Sequence, residues 1–76
     1  MSSIERLYET RVENLRRVVE MTEGGAGAVA EAMGYRHQSF ISQMAGANPI
    51  RRISEKTARA IEEAMGLTSG WMDISR

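Results

Sequence analysis

Cysteine is absent from the 76 residues, which excludes a disulfide scaffold and a thiolate metal site and leaves apolar packing, alone or with a partner subunit, to hold the chain. Nowhere do about 18 apolar residues run together, roughly the minimum for a membrane-crossing helix. The first eleven residues carry Glu5, Arg6, Glu9 and Arg11, and so lack the uncharged apolar run of an export signal. The expectation is a soluble, cytoplasmic protein that forms one domain over residues 1–76, since so short a chain has little volume for two cores. Net charge is lacking too, ten basic side chains balancing ten acidic ones. Its distribution is uneven: residues 36–59 hold Arg36, Arg51, Arg52, Lys56 and Arg59 against Glu55 alone, and both flanking segments are acidic. A basic block between acidic ends suits a surface that faces a polyanion.

Strand-like alternation and repeats are also missing, and the apolar pattern is helical throughout. Ile4, Leu7, Tyr8, Val12, Leu15, Val18 and Val19 recur every three or four positions up to Met21, with Ser3 as a candidate N-cap. Gly24 and Gly25 end that helix, because paired glycines supply the left-handed backbone of a helix terminus. A second, short helix starts near Ala26 and stops at Gly34, and a third runs from about His37 to Ala45 before Gly46. Asn48 and Pro49 open an irregular loop through Arg52. Ser54 caps a fourth helix carrying Ala58, Ile61 and Met65, Ile53 acts as a staple against Ala58, and Gly66 ends it. A fifth short helical turn, capped by Thr68 or Ser69, sets Trp71 and Met72 against the bundle. The sequence thus predicts an all-α, compact five-helix bundle whose core includes Leu15, Val18, Val29, Ala30, Met33, Ile41, Met44, Ile61 and Trp71.

The third helix sorts its side chains sharply. At about 100° per residue, Gln38, Ser39, Ser42 and Gln43 fall on one half and Phe40, Ile41, Met44 and Ala45 on the other. A merely solvated face usually carries Lys and Glu, whereas Gln and Ser are short, neutral and both donor and acceptor, which suits reading base edges.

Other chemistries lack partners in the sequence. Gly25-Ala26-Gly27-Ala28-Val29-Ala30 spells a dinucleotide fingerprint, but no strand precedes it. His37 is the only histidine, so zinc is not expected, and none of the seven serines sits in a nucleophile elbow. No catalysis, no cofactor and no small-molecule substrate is expected.

Val29-Ala30-Glu31-Ala32-Met33-Gly34 followed by Ser39-Phe40-Ile41-Ser42-Gln43-Met44-Ala45-Gly46 resembles the helix-turn-helix of lambda-repressor and Cro-like proteins. Asn14-Leu15-Arg16, Lys56 to Glu62, Gly66-Leu67 and Gly70-Trp71-Met72-Asp73 extend the resemblance over nearly the whole chain. It implies that the second and third helices form the motif through a three- or four-residue turn, with Ala30 small where the two helices touch and Gly34 at the turn. Either Phe40 or Ile41 anchors the third helix. It further implies that this helix enters the major groove of a DNA operator, Gln38, Ser39, Ser42 and Gln43 facing bases, while helix ends and loops grip phosphates. On that reading the backbone amides of Gly27 and Ala28 bind phosphate, Arg36, Asn48, Arg51 and Arg52 supply charge, and His37 faces DNA from the turn. The family often has Gln where Ala26 stands, so that contact is missing here. The resemblance implies a phage or prophage repressor of a bacterial host, bound as a homodimer to a pseudo-palindromic operator, and such domains often lead into a larger C-terminal domain. Bacterial stress regulators and antitoxins share the same domain, and a helical protein-interaction module is the alternative of a different class.

Overall fold

The stripe of apolar residues that begins at Ile4 winds into α1 (Ser3–Met21) in the computed structural model, which describes residues 3–46 and 52–76, and of residue 3 the backbone alone. Three further α-helices follow, α2 (Gly25–Met33), α3 (Ser39–Ala45) and α4 (Glu55–Met65), and then a single 3-10 turn (Trp71–Asp73). Among the described residues there is no strand, and no helix is long and apolar enough to cross a membrane. Among the described residues the architecture is therefore all-helical, with four α-helices rather than the expected five. Only three residues of the C-terminal segment coil, fewer than one α-helical turn needs.

The core forms where α1 meets α2, α3 and the 3-10 turn, and where α4 closes over α2 and the same turn. Leu15, Val18, Val29, Ala30, Ile41, Met44 and Ile61 are buried as expected, and Ile53, Ala58 and Met72 join them. Met33 and Trp71 are only half-buried, packed against the core from its edge. The reversal at the C-terminus has a physical cause: in the 3-10 turn Met72 faces inward and the Trp71 ring stays outside, with the Arg76 guanidinium 3.9 Å from its centroid.

Helix ends follow from local chemistry. Gly34 at φ +80° lets its own N–H reach Glu31 O and the Tyr35 N–H reach Ala30 O at 2.8 Å, which satisfies the last carbonyls of α2 and turns the chain. Ser54 caps α4 as expected, its Oγ accepting from the Thr57 N–H at 3.2 Å. At the 3-10 turn the expected Thr68 or Ser69 cap is replaced. Gly70 is the residue before the turn, and the Glu62 carboxylate accepts from the Gly70 N–H at 3.1 Å and the Met72 N–H at 2.8 Å. A carboxylate from α4 thus does what a local hydroxyl was expected to do.

Polar side chains hold the C-terminal segment against α1. Asn14, 1% exposed, donates from Nδ2 to Met72 O at 2.8 Å, Ile74 O at 2.9 Å and Trp71 O at 3.4 Å. Arg11, 3% exposed, donates to both oxygens of Asp73 and, from Nη1, to Ile53 O at 3.0 Å. The Arg59 guanidinium completes the node, 3.0 Å from Asp73 Oδ1 and 3.1 Å from Glu62 Oε1. The hydrogen bond from Arg11 pulls the Asp73 carboxyl below the usual carboxylate range against the opposing effect of burial, and Arg59 pulls it further in the same direction.

Candidate nucleic-acid interface

Five residues, Gly34 to Gln38, separate α2 from α3, one or two more than expected. The added length is used by Tyr35, which is half-buried and sets its ring 5.4 Å from that of Phe40 at 47°. His37 O then accepts from the Phe40 N–H and Gln38 O from the Ile41 and Ser42 N–H groups, so the coil begins with the turn itself. With this longer turn the buried anchor of α3 is Ile41, fully enclosed, and Phe40 stays half-buried. Met44, one turn on, is buried on the same face.

The opposite face of α3 is outward. Gln38, Ser39 and Ser42 are exposed, and Gln43 lies half-buried at the edge, so the polar half is three residues wide at its centre instead of four. The helix is held at both ends. At its C-terminus the Gly46 N–H closes on Ser42 O at 2.8 Å, while the exposed Arg16 of α1 donates from Nε to Ala45 O at 2.8 Å and from Nη2 to Gly46 O. Arg16 is a positioning residue for α3 that its sequence context did not single out. A long cation on α1 carries no periodic signal that ties it to carbonyls thirty positions away.

At the other end the geometry joins two expected residues. Gly27, in the first turn of α2, is so close to Gln38 that a Cβ built on it would lie 3.2 Å from Gln38 Oε1. No side chain caps the N-terminus of α2, where Gly24 precedes the helix and Gly27 and Ala28 are half-buried. The amides of that first turn have no partner within the helix and carry the positive end of its dipole. Arg36 and His37 are exposed in the turn that follows α2 and leads to Gln38. The arrangement thus presents neutral donors and acceptors on and just before α3, of which Gln38 reaches the first turn of α2, with one basic side chain in the turn before them.

Not every expected contact gathers there. The Arg52 guanidinium, exposed, lies 5.0 Å from the centroid of the Tyr8 ring, which also has Arg11 5.8 Å from it. That stacking draws Arg52 to the N-terminal half of α1, about two helical turns before the Arg16 that holds α3. Asn48 and Arg51 lie outside the described residues, as do the side chain of Ser3 and the expected loop up to Arg51. Among the described residues no three His, Asp or Glu side chains gather as a metal site would require. Compared with protein-family models, curated proteins and solved structures, the chain matches none.

Proposed function

We propose that this chain is a sequence-specific double-stranded DNA-binding protein of the repressor type, in which α2 and α3 act as a helix-turn-helix and α3 lies in the major groove. The observation that carries the reading is the two-sidedness of α3: Ile41 and Met44 fix one face in the core, and Gln38, Ser39 and Ser42 are exposed on the other without a charge among them. Such a face is well matched to base edges, which offer donors and acceptors at fixed positions. The start of α2, which no side chain caps, and the exposed Arg36 of the turn supply backbone grip.

Two of the stretches that carry the family resemblance also support it by meeting in space, Asn14 bonding to Trp71 and Met72 across the bundle. The biological role follows from that resemblance: a phage or prophage regulator in a bacterial cytoplasm, two copies on a pseudo-palindromic operator with half-sites about one helical turn, roughly 34 Å, apart.

Selection of binding sites from random duplexes at moderate salt tests the proposal. The expected result is an inverted repeat bound by two chains, with affinity falling steeply as salt rises because several phosphates are neutralised. A chain that enriches no sequence and whose affinity for duplex is flat in salt has another role, and capture of a polypeptide by a salt-insensitive surface would favour the protein-interaction alternative.

A further inference from the structure

Gly27 occupies a helical position where glycine has no conformational purpose. Gly24 and Gly25 just before it adopt φ of +94° and +60°, a region that side-chain-bearing residues rarely enter, but Gly27 is not among the glycines with positive φ. Within α2 it is an ordinary helical residue of the poorest non-proline helix former. What distinguishes the position is space. Outside its own chain neighbours and helix backbone, a Cβ there would meet a single atom within 4 Å, Gln38 Oε1 at 3.2 Å.

We infer that Gly27 is a specificity-determining position that acts through Gln38: its missing side chain opens a seat over the first turn of α2 in which the Gln38 carboxamide oxygen rests. The inference depends on the base-reading role proposed above for Gln38. An exposed glutamine otherwise samples many rotamers, and restricting it before binding lowers the ordering cost at the interface. The seat also selects an end of the amide. The uncapped N-terminus of α2 is positive, so it favours the oxygen over the NH2 group, leaving Nε2 on the other branch as the donor presented to the groove. Base acceptors such as guanine O6 or N7, adenine N7 or thymine O4 are then its partners.

Gly27→Ala tests the seat, alone and combined with Gln38→Ala. The displaced atom is the far end of a flexible side chain, so the fold tolerates the methyl group, and alanine's better helix propensity keeps the melting temperature equal or raises it. In the free protein the Gln38 side-chain amide resonances are expected to shift in Gly27→Ala. In binding-site selection, discrimination at one base pair per half-site is expected to fall by about 5-fold, the lower end of the range for a bidentate pair, since Nε2 alone faces the base. On the Gln38→Ala background, Gly27→Ala should change nothing further. Unmoved Gln38 amide resonances overturn the seat whatever the DNA result. An unchanged base preference in Gly27→Ala, or an equal loss on both backgrounds, overturns the link to specificity while leaving DNA binding intact. A wild-type chain that selects no sequence overturns the DNA reading itself, and with it the specificity role.

Discussion

Arg11 and Asp73, 62 positions apart, form a two-pronged ion pair: Arg11 Nε lies 2.7 Å from Asp73 Oδ1 and Nη2 lies 3.2 Å from Oδ2. The fork fixes the C-terminal turn on α1, and because Arg11 also reaches Ile53 O it ties in the segment before α4. Its planar geometry satisfies both carboxylate oxygens at once, which a lysine at that position does not do.

That pair makes stability depend on acid in a definite direction. The hydrogen bond from Arg11, then Arg59, lowers the Asp73 pKa in the folded chain below its unfolded value of about 3.9. The stabilisation is therefore fully present above that unfolded value and is lost as pH falls through the lower folded value. Arg11 stays charged throughout, its own pKa raised chiefly by the same hydrogen bond. Thermal melts from pH 6 down to about pH 2 should show an acid limb that is shallower in Asp73→Asn than in the parent chain. Superimposable acid limbs would mean that the fork does not survive in solution.

Asn14 gives a second prediction. Removing its amide takes the side-chain donor from Met72 O in a buried site, while the exposed Ile74 O keeps the Arg76 Nη1 donor at 3.1 Å. Asn14→Ala should cost about 1 to 3 kcal/mol, the penalty for orphaning one buried acceptor, and lower the melting temperature by roughly 5 °C or more. Asn14→Asp keeps the shape but turns a negative charge towards those oxygens, so at neutral pH it should be at least as damaging. Amide exchange in residues 70–74 is the local readout. Protection there equal to the parent's in both variants would refute the assignment.

The tight approach at Ala30 gives a third. Ala30 is 2% exposed in α2, which packs on α1, α3 and α4, so a larger side chain has to force these helices apart. Ala30→Leu should cost about 1 to 3 kcal/mol, whereas Ala32→Leu, on the exposed side of the same helix, should stay within about 0.5 kcal/mol of the parent. An unchanged melting temperature in Ala30→Leu would show that α2 is not seated as described.

The helices were legible because their apolar residues keep a regular period, and the glycine and serine boundaries at Gly34, Ser54 and Gly66 are local chemistry that a sequence displays directly. The roles of Arg11 and Asn14 were not legible, for the converse reason. Both fall on the buried side of α1 between Leu7, Leu15 and Val18, but a polar residue inside an apolar stripe shows its purpose only when its partners are known. Those partners, the Asp73 carboxylate and the Trp71, Met72 and Ile74 carbonyls, are 57 to 62 positions away. Glu62 was hidden likewise, since nothing local marks it as the cap of a turn eight residues on. In the candidate interface the composition of the α3 face was readable. The choice of Ile41 over Phe40 as anchor was not, because it depends on a turn whose length the sequence leaves open by one residue.

Gln38 and Arg36 should fail in different ways if α3 reads bases and the turn beside it grips the backbone, since only the first contact depends on which base is present. Both residues are exposed, so neither substitution to alanine should disturb the fold, and surface changes of that kind usually stay within about 0.5 kcal/mol. Loss of the Gln38 amide should weaken the selected operator by about 1 to 3 kcal/mol and unrelated duplexes much less, relaxing the preference at one base pair. Loss of the Arg36 charge should weaken operator and random duplex alike and reduce the slope of log affinity against log salt by about one unit. Titrations of each variant on both duplexes at several salt concentrations separate the two. If Gln38→Ala and Arg36→Ala weaken every duplex equally, with the same change in salt slope, then α3 holds the backbone. Its neutral outer face would then be a solvated surface, and sequence preference would have to come from elsewhere in the chain.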